Sequence, residues 1–146
     1  MVLQDKILEI LESMTEGEDA LLNTVMYGSP FDANVRMDKK PDPAAIVYLL
    51  QSWSIDTTKM IKRKQCDTAI YFCKRYNFDA KGEVVKEVMD TVEPIVDAFI
   101  SELLSDNSII VSNIKATASY GKFDCHTCGY TLTFTAIEKQ GECFSE

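Results

Sequence analysis

Between residues 80 and 104, Val84, Val85, Val88, Met89, Val92, Ile95, Val96, Phe99, Ile100, Leu103 and Leu104 recur at helical spacing. An apolar stripe this wide needs more than one neighbouring helix to cover it. It predicts a long helix laid across the face of a sheet. Asp79 is placed to cap its start. Pro94 lies well inside the segment, has no amide hydrogen and is expected to kink or split the helix.

The rest of the chain supplies the sheet. Residues 128–139 place Tyr130, Leu132, Phe134 and Ala136 in alternation with Thr131, Thr133 and Thr135, the pattern of a half-buried strand. Residues 108–118 precede it as its expected hairpin partner. Residues 119–124, with Tyr120, Gly121 and Phe123, form the connection. Residues 21–27, 44–55 and 66–76 read as three further strands, with Tyr48 and Trp53 favouring strand over helix in the second. Lys59–Lys64 reads as a turn between the last two. Residues 2–14 carry Val2, Leu3, Ile7, Leu8, Ile10, Leu11 and Met14 on one side and acids on the other, which predicts an N-terminal helix closed near Gly17. The expected fold is α+β in one domain, residues 1–146. It is a mixed or antiparallel sheet of about five strands, with an N-terminal helix and one long helix packed on one face.

Charge is unevenly placed within a net of −8. Residues 1–20 hold six acids against Lys6, and residues 79–106 hold eight acids against two lysines. Residues 59–75 hold Lys59, Lys62, Arg63, Lys64, Lys74 and Arg75 against Asp67 alone. The acidic balance speaks against wrapping nucleic acid, which needs a cationic surface. Opposed patches in one chain suit either solvated faces or contacts between copies. Residues 29–43, framed by Pro30, Pro41 and Pro43, form a long polar connection. It reads as a surface loop or as an arm towards a neighbouring subunit. Candidate subunit contacts are therefore Asn34, Arg36, Lys39 and Lys40 in this connection and Lys62, Arg63 and Lys64 in the basic turn.

Little in the sequence suggests catalysis. The glycines are scattered singly, so no phosphate-binding loop is expected. Cys125-His126-Thr127-Cys128 could offer two thiolates and an imidazole to zinc. Adjacent side chains on an extended chain point to opposite faces, however, so free thiols in a hairpin connection are the expected reading. The five cysteines are an odd number without a basic, apolar leader, which favours reduced thiols in a cytoplasm. No catalytic residue, cofactor or metal is assigned, and no membrane partner is expected.

Four stretches give the chain a likeness to a known family. They are Tyr27-Gly28-Ser29-Pro30-Phe31-Asp32-Ala33-Asn34, Pro43-Ala44-Ala45-Ile46-Val47-Tyr48-Leu49-Leu50, Phe78-Asp79 before the long helix, and the closing Gln140-Gly141-Glu142-Cys143. With the order of elements, they resemble the small phage tail-completion proteins called tail terminators, in particular those of phages and prophages of gut Bacteroidetes-type bacteria. The resemblance implies a non-enzymatic virion protein made in the bacterial cytoplasm. It would form a homo-oligomeric, hexameric ring that caps the tail-tube protein and meets the head–tail connector protein, with DNA only passing through the lumen. Cys125-His126-Thr127-Cys128 is not a feature of that family. A head–tail adaptor or tail-tube subunit, and a small binding module with a Cys/His metal site, are the alternatives.

Overall fold

A computed structural model describes residues 3–27, 42–76, 82–122 and 127–143. The order of elements is α1 (Leu3–Ser13), β1 (Thr24–Tyr27), β2 (Ala44–Asp56), β3 (Ile61–Arg75), α2 (Gly82–Leu104), β4 (Ile109–Lys122), β5 (Thr127–Glu138) and β6 (Glu142–Cys143). The sheet runs β1-β2-β3-β5-β4, and β6 pairs with the start of β3. β1 is parallel to β2 and every other pairing is antiparallel. The α+β expectation therefore holds, with a mixed sheet and helices on one face.

The parallel β1–β2 pair gives the long connection after Tyr27 an architectural reason. Thr24 pairs with Ala44 and Tyr27 with Val47. The chain must therefore travel back from the end of one strand to the start of the next, which a tight turn cannot do. The start of β2 is fastened to its surroundings. Asn23 N donates to Pro43 O at 2.8 Å, and Arg75 N donates to the Asp42 carboxylate at 2.8 Å.

The core lies between the helices and the sheet. Leu3, Ile7 and Leu11 recur every four residues on α1 and are fully buried. Val88, Met89, Val92, Ile95, Val96, Phe99 and Leu103 do the same on α2. They meet Ala45, Val47 and Leu49 of β2, Cys66, Ile70 and Phe72 of β3, and Leu132, Phe134 and Ala136 of β5. Phe99 sits at the centre, its ring 5.6 Å from Phe72 and 6.1 Å from Phe134. The threonines of β5 point away from this core, as the alternation requires. A smaller buried cluster of Met26, Ala44, Ile46, Tyr71 and Cys73 lies on the opposite face.

One sequence expectation narrows and another needs correction. α2 is not split at Pro94, since one helix runs from Gly82 to Leu104. Pro94 stands on the exposed side, where water can take up the carbonyl that its ring leaves unbonded. The basic segment is not a turn either. Only Thr57–Met60 turns, and Lys62, Arg63 and Lys64 belong to β3. The Asp56 carboxylate accepts from Thr58 N at 2.9 Å and Lys59 N at 3.2 Å, and Met60 takes a left-handed φ of 50°. These features close a tight four-residue loop without glycine.

α1 is tied to the corner after α2 by an ion pair, Lys6 Nζ to Asp106 Oδ2 at 2.9 Å. Burial pushes the Asp106 carboxyl up. Hydrogen bonds from Ser108 and Lys6 and the lysine's charge outweigh it, so the net shift is downward from 3.8. A depressed folded pKa stabilises the fold above the unfolded value and loses that contribution as pH falls through the folded one. Asp106→Asn is expected to lower stability by about 1 kcal/mol at neutral pH. The difference should narrow as pH falls through the lowered folded pKa, beneath the ordinary carboxylate range, as measured by urea titration at neutral and at acid pH.

Candidate subunit-contact site

The outer half of the β2–β3 hairpin lies beyond the core that the helices build on the sheet. Along β2, burial persists through Leu49, and from Leu50 to Asp56 no residue is buried. That outer half spans about 20 Å of strand. It pairs with β3 in unbroken register, Gln51 with Cys66 through Asp56 with Ile61. Among the described strands, β1 covers the other edge of β2 only from Ala44 to Val47, so the edge from Tyr48 outward has no strand partner.

Alternation sorts the hairpin's side chains into two faces. Trp53 and Ile55 share the helix-side face of β2, and Lys62 and Lys64 share that face on β3. Trp53 is 59% exposed, the most exposed of the large apolar side chains described. Lys62 Nζ stands 4.7 Å above its ring, a cation–π contact that holds the indole upright beside a charge. Lys64 Nζ reaches Glu142 Oε1 of β6 at 3.3 Å, and Lys64 N donates to Glu138 Oε2 at 3.4 Å. Arg63 points to the other face and is exposed, as is Lys59 in the turn. Neither has an ion-pair partner among the described residues. On the open sheet face, Tyr48 and Leu50 stand in water at the rim of a shallow depression with Ala69 and Thr133.

Of the residues expected to make contacts, the structure brings Lys62, Arg63 and Lys64 together on one strand. Asn34, Arg36, Lys39 and Lys40 lie outside the described residues, as do Asp79, Cys125 and His126. The sequence reading missed Trp53 as a contact residue. Its signal was the end of apolar alternation at Gln51-Ser52-Trp53-Ser54, where a lone indole has no apolar neighbours two positions away on one side. It also missed Glu138, a carboxylate 5% exposed at the base of the hairpin.

Chemistry of other kinds finds little footing in the described residues. Cys128 belongs to the apolar core, and burial pushes its thiol up, away from the thiolate that a metal or a nucleophilic role requires. Burial raises the Cys66 thiol too. Among the described residues, no three of His, Cys, Asp and Glu converge as a metal site. A hollow lined by Asn107, Ser108, Glu138, Lys139, Gln140 and Glu142 places two carboxylates near amides and carries no imidazole or thiol. Among the described residues, no helix is long and apolar enough to cross a membrane.

No protein-family model matches the chain, and no curated protein matches it.

Proposed function

We propose that the protein is a non-enzymatic assembly subunit of a phage virion, a tail terminator whose copies close into a ring. The ring caps the tail tube, meets the head connector and lets DNA pass through its lumen. The observation that carries this reading is the exposed hairpin. It places an exposed Trp53 beside Lys62 on one face and an exposed Arg63 on the other, on the outer half of the strand pair, where no residue of β2 is buried. Tryptophan and basic side chains in that setting are typical anchors of protein contacts. The charge division supports it, because a basic projection and acidic helices in one chain are complementary between copies. Contacts between unlike patches are heterologous, and they close into rings when the rotation allows. The resemblance of four sequence stretches to tail terminators supplies the virion context.

A second reading, a tail-tube subunit or head–tail adaptor, is favoured by the edge of β2 from Tyr48 outward, which no described strand pairs. Strands with such an edge can be extended by a neighbour's strand. Negative-stain electron microscopy of the purified protein separates the two. Closed rings of uniform diameter are expected of a terminator. Long tubes would move the assignment to a tube subunit, and fields of particles no larger than one chain would remove both.

A further inference from the structure

We propose that the tip of the β2–β3 hairpin of one copy seats on the acidic outer face of α2 in a second copy. The proposal rests on the assembly reading above and names the two surfaces that meet. On α2, Glu87, Asp90, Glu93 and Asp97 are all exposed and follow one another at three- and four-residue steps, so they form one stripe. Asp90 has an i,i+4 partner in Lys86, at 3.5 Å. Glu87, Glu93 and Asp97 have no ion-pair partner among the described residues. The exposed Asp5, Glu9 and Glu12 of α1 extend the same sign across the helical layer.

The hairpin carries the matching charge. Lys59 and Arg63 are exposed and unpaired among the described residues, and Lys62 is held over Trp53. Their own chain's α2 acids do not neutralise them, and the net charge of −8 makes any uncompensated approach of two copies repulsive. A cationic tip is the feature that lets two such copies approach in one orientation. Trp53, Ile55 and Met60 add exposed apolar area at the same tip, and Pro94 interrupts the acidic stripe with an apolar step. Tip and stripe are different patches, so each copy offers one donor surface and one acceptor surface, the arrangement a ring requires. Charged pairs of this kind set orientation and encounter rate, and they weaken as salt shortens the screening length.

The test is a charge exchange between two variants of the full chain. One carries Lys59→Glu with Arg63→Glu, and the other carries Glu93→Lys with Asp97→Lys. All four positions are exposed, so both variants are expected to fold, which circular dichroism and urea unfolding check. Each alone is expected to lose self-association by about a hundredfold or more relative to wild type. Mixed in equal amounts, they are expected to assemble again, because the acidic tip of one then meets the basic helix of the other. If wild type assembles and each variant alone assembles as well as wild type, the docking proposal fails while the assembly reading stands. Failure of the mixture to recover assembly overturns the proposal in the same way. If wild type stays one chain in mass at every concentration in low salt, both fail.

Discussion

Replacing Phe99 with alanine is expected to cost about 4 kcal/mol of folding stability. Phe99 is fully buried on α2, and its ring meets Phe72 of β3 at 50° and Phe134 of β5 at 40°. One side chain thus joins the long helix to two neighbouring strands. Truncation removes the transfer energy of the ring, leaves a cavity and breaks two tilted aromatic contacts worth about 0.5–1.5 kcal/mol each. Domains of this size hold only about 5–15 kcal/mol in total, so the variant is expected to fold marginally. Urea unfolding should show a lower midpoint with an unchanged slope. Phe99→Leu keeps most of the volume and is expected to cost about 1–1.5 kcal/mol. An alanine variant within 1 kcal/mol of wild type would mean that α2 does not lie on the sheet as described.

Gly129→Ala is expected to be nearly as damaging for a different reason. Gly129 pairs with Cys73 on one side and Ser119 on the other, in the middle of three hydrogen-bonded strands. A Cβ added there would overlap the Phe72 carbonyl oxygen and lie 2.9 Å from the Cys73 Cα. These are backbone atoms, so no change of rotamer relieves the clash. β5 must move away from β3, or the irregularity between Ser119 and Lys122 must spread. The expected cost is about 3 kcal/mol, read by the same titration. An alanine variant as stable as wild type would show that β3 and β5 are further apart here than described. Neither variant touches the hairpin tip or the acidic stripe, so both probe the fold apart from assembly.

The elements with strong periodicity were legible in the sequence. The stripe from Val88 to Leu103 and the Tyr130–Ala136 alternation each bury one face, and a single chain is enough to show that. The reach of the β2–β3 hairpin was less legible. Lys62, Arg63 and Lys64 look like a turn because strands seldom carry three consecutive cations. They are tolerated in β3 because Arg63 is exposed, Lys62 lies over the exposed Trp53 and Lys64 is ion-paired with Glu142 of the neighbouring β6. The real turn is hidden in Asp56-Thr57-Thr58-Lys59-Met60, which lacks the glycine that usually marks one. β6 was not legible at all. Two residues, Glu142 and Cys143, pair with Lys62 and Ile61 just after Gly141, where an added Cβ would overlap the Ile61 side chain. Pro94 lies inside the helix but on its exposed side, so the lost hydrogen bond is not left in the core and the helix continues past it.

At the candidate site the sequence identified the charge but not its geometry. Lys62 and Lys64 are partly used within the chain, by Trp53 and Glu142, which leaves Lys59 and Arg63 as the cations free to meet another surface among the described residues. That division depends on strand alternation, which cannot be read until the register is known.

Light scattering coupled to size exclusion, at low salt and across a range of protein concentrations, addresses the central claim that this chain works by docking on copies of itself. The expected result is one main species whose mass is several times the 16.4 kDa of a single chain, with roughly six chains if the ring is that of the tail terminators. A mass of 16.4 kDa at every concentration would contradict it.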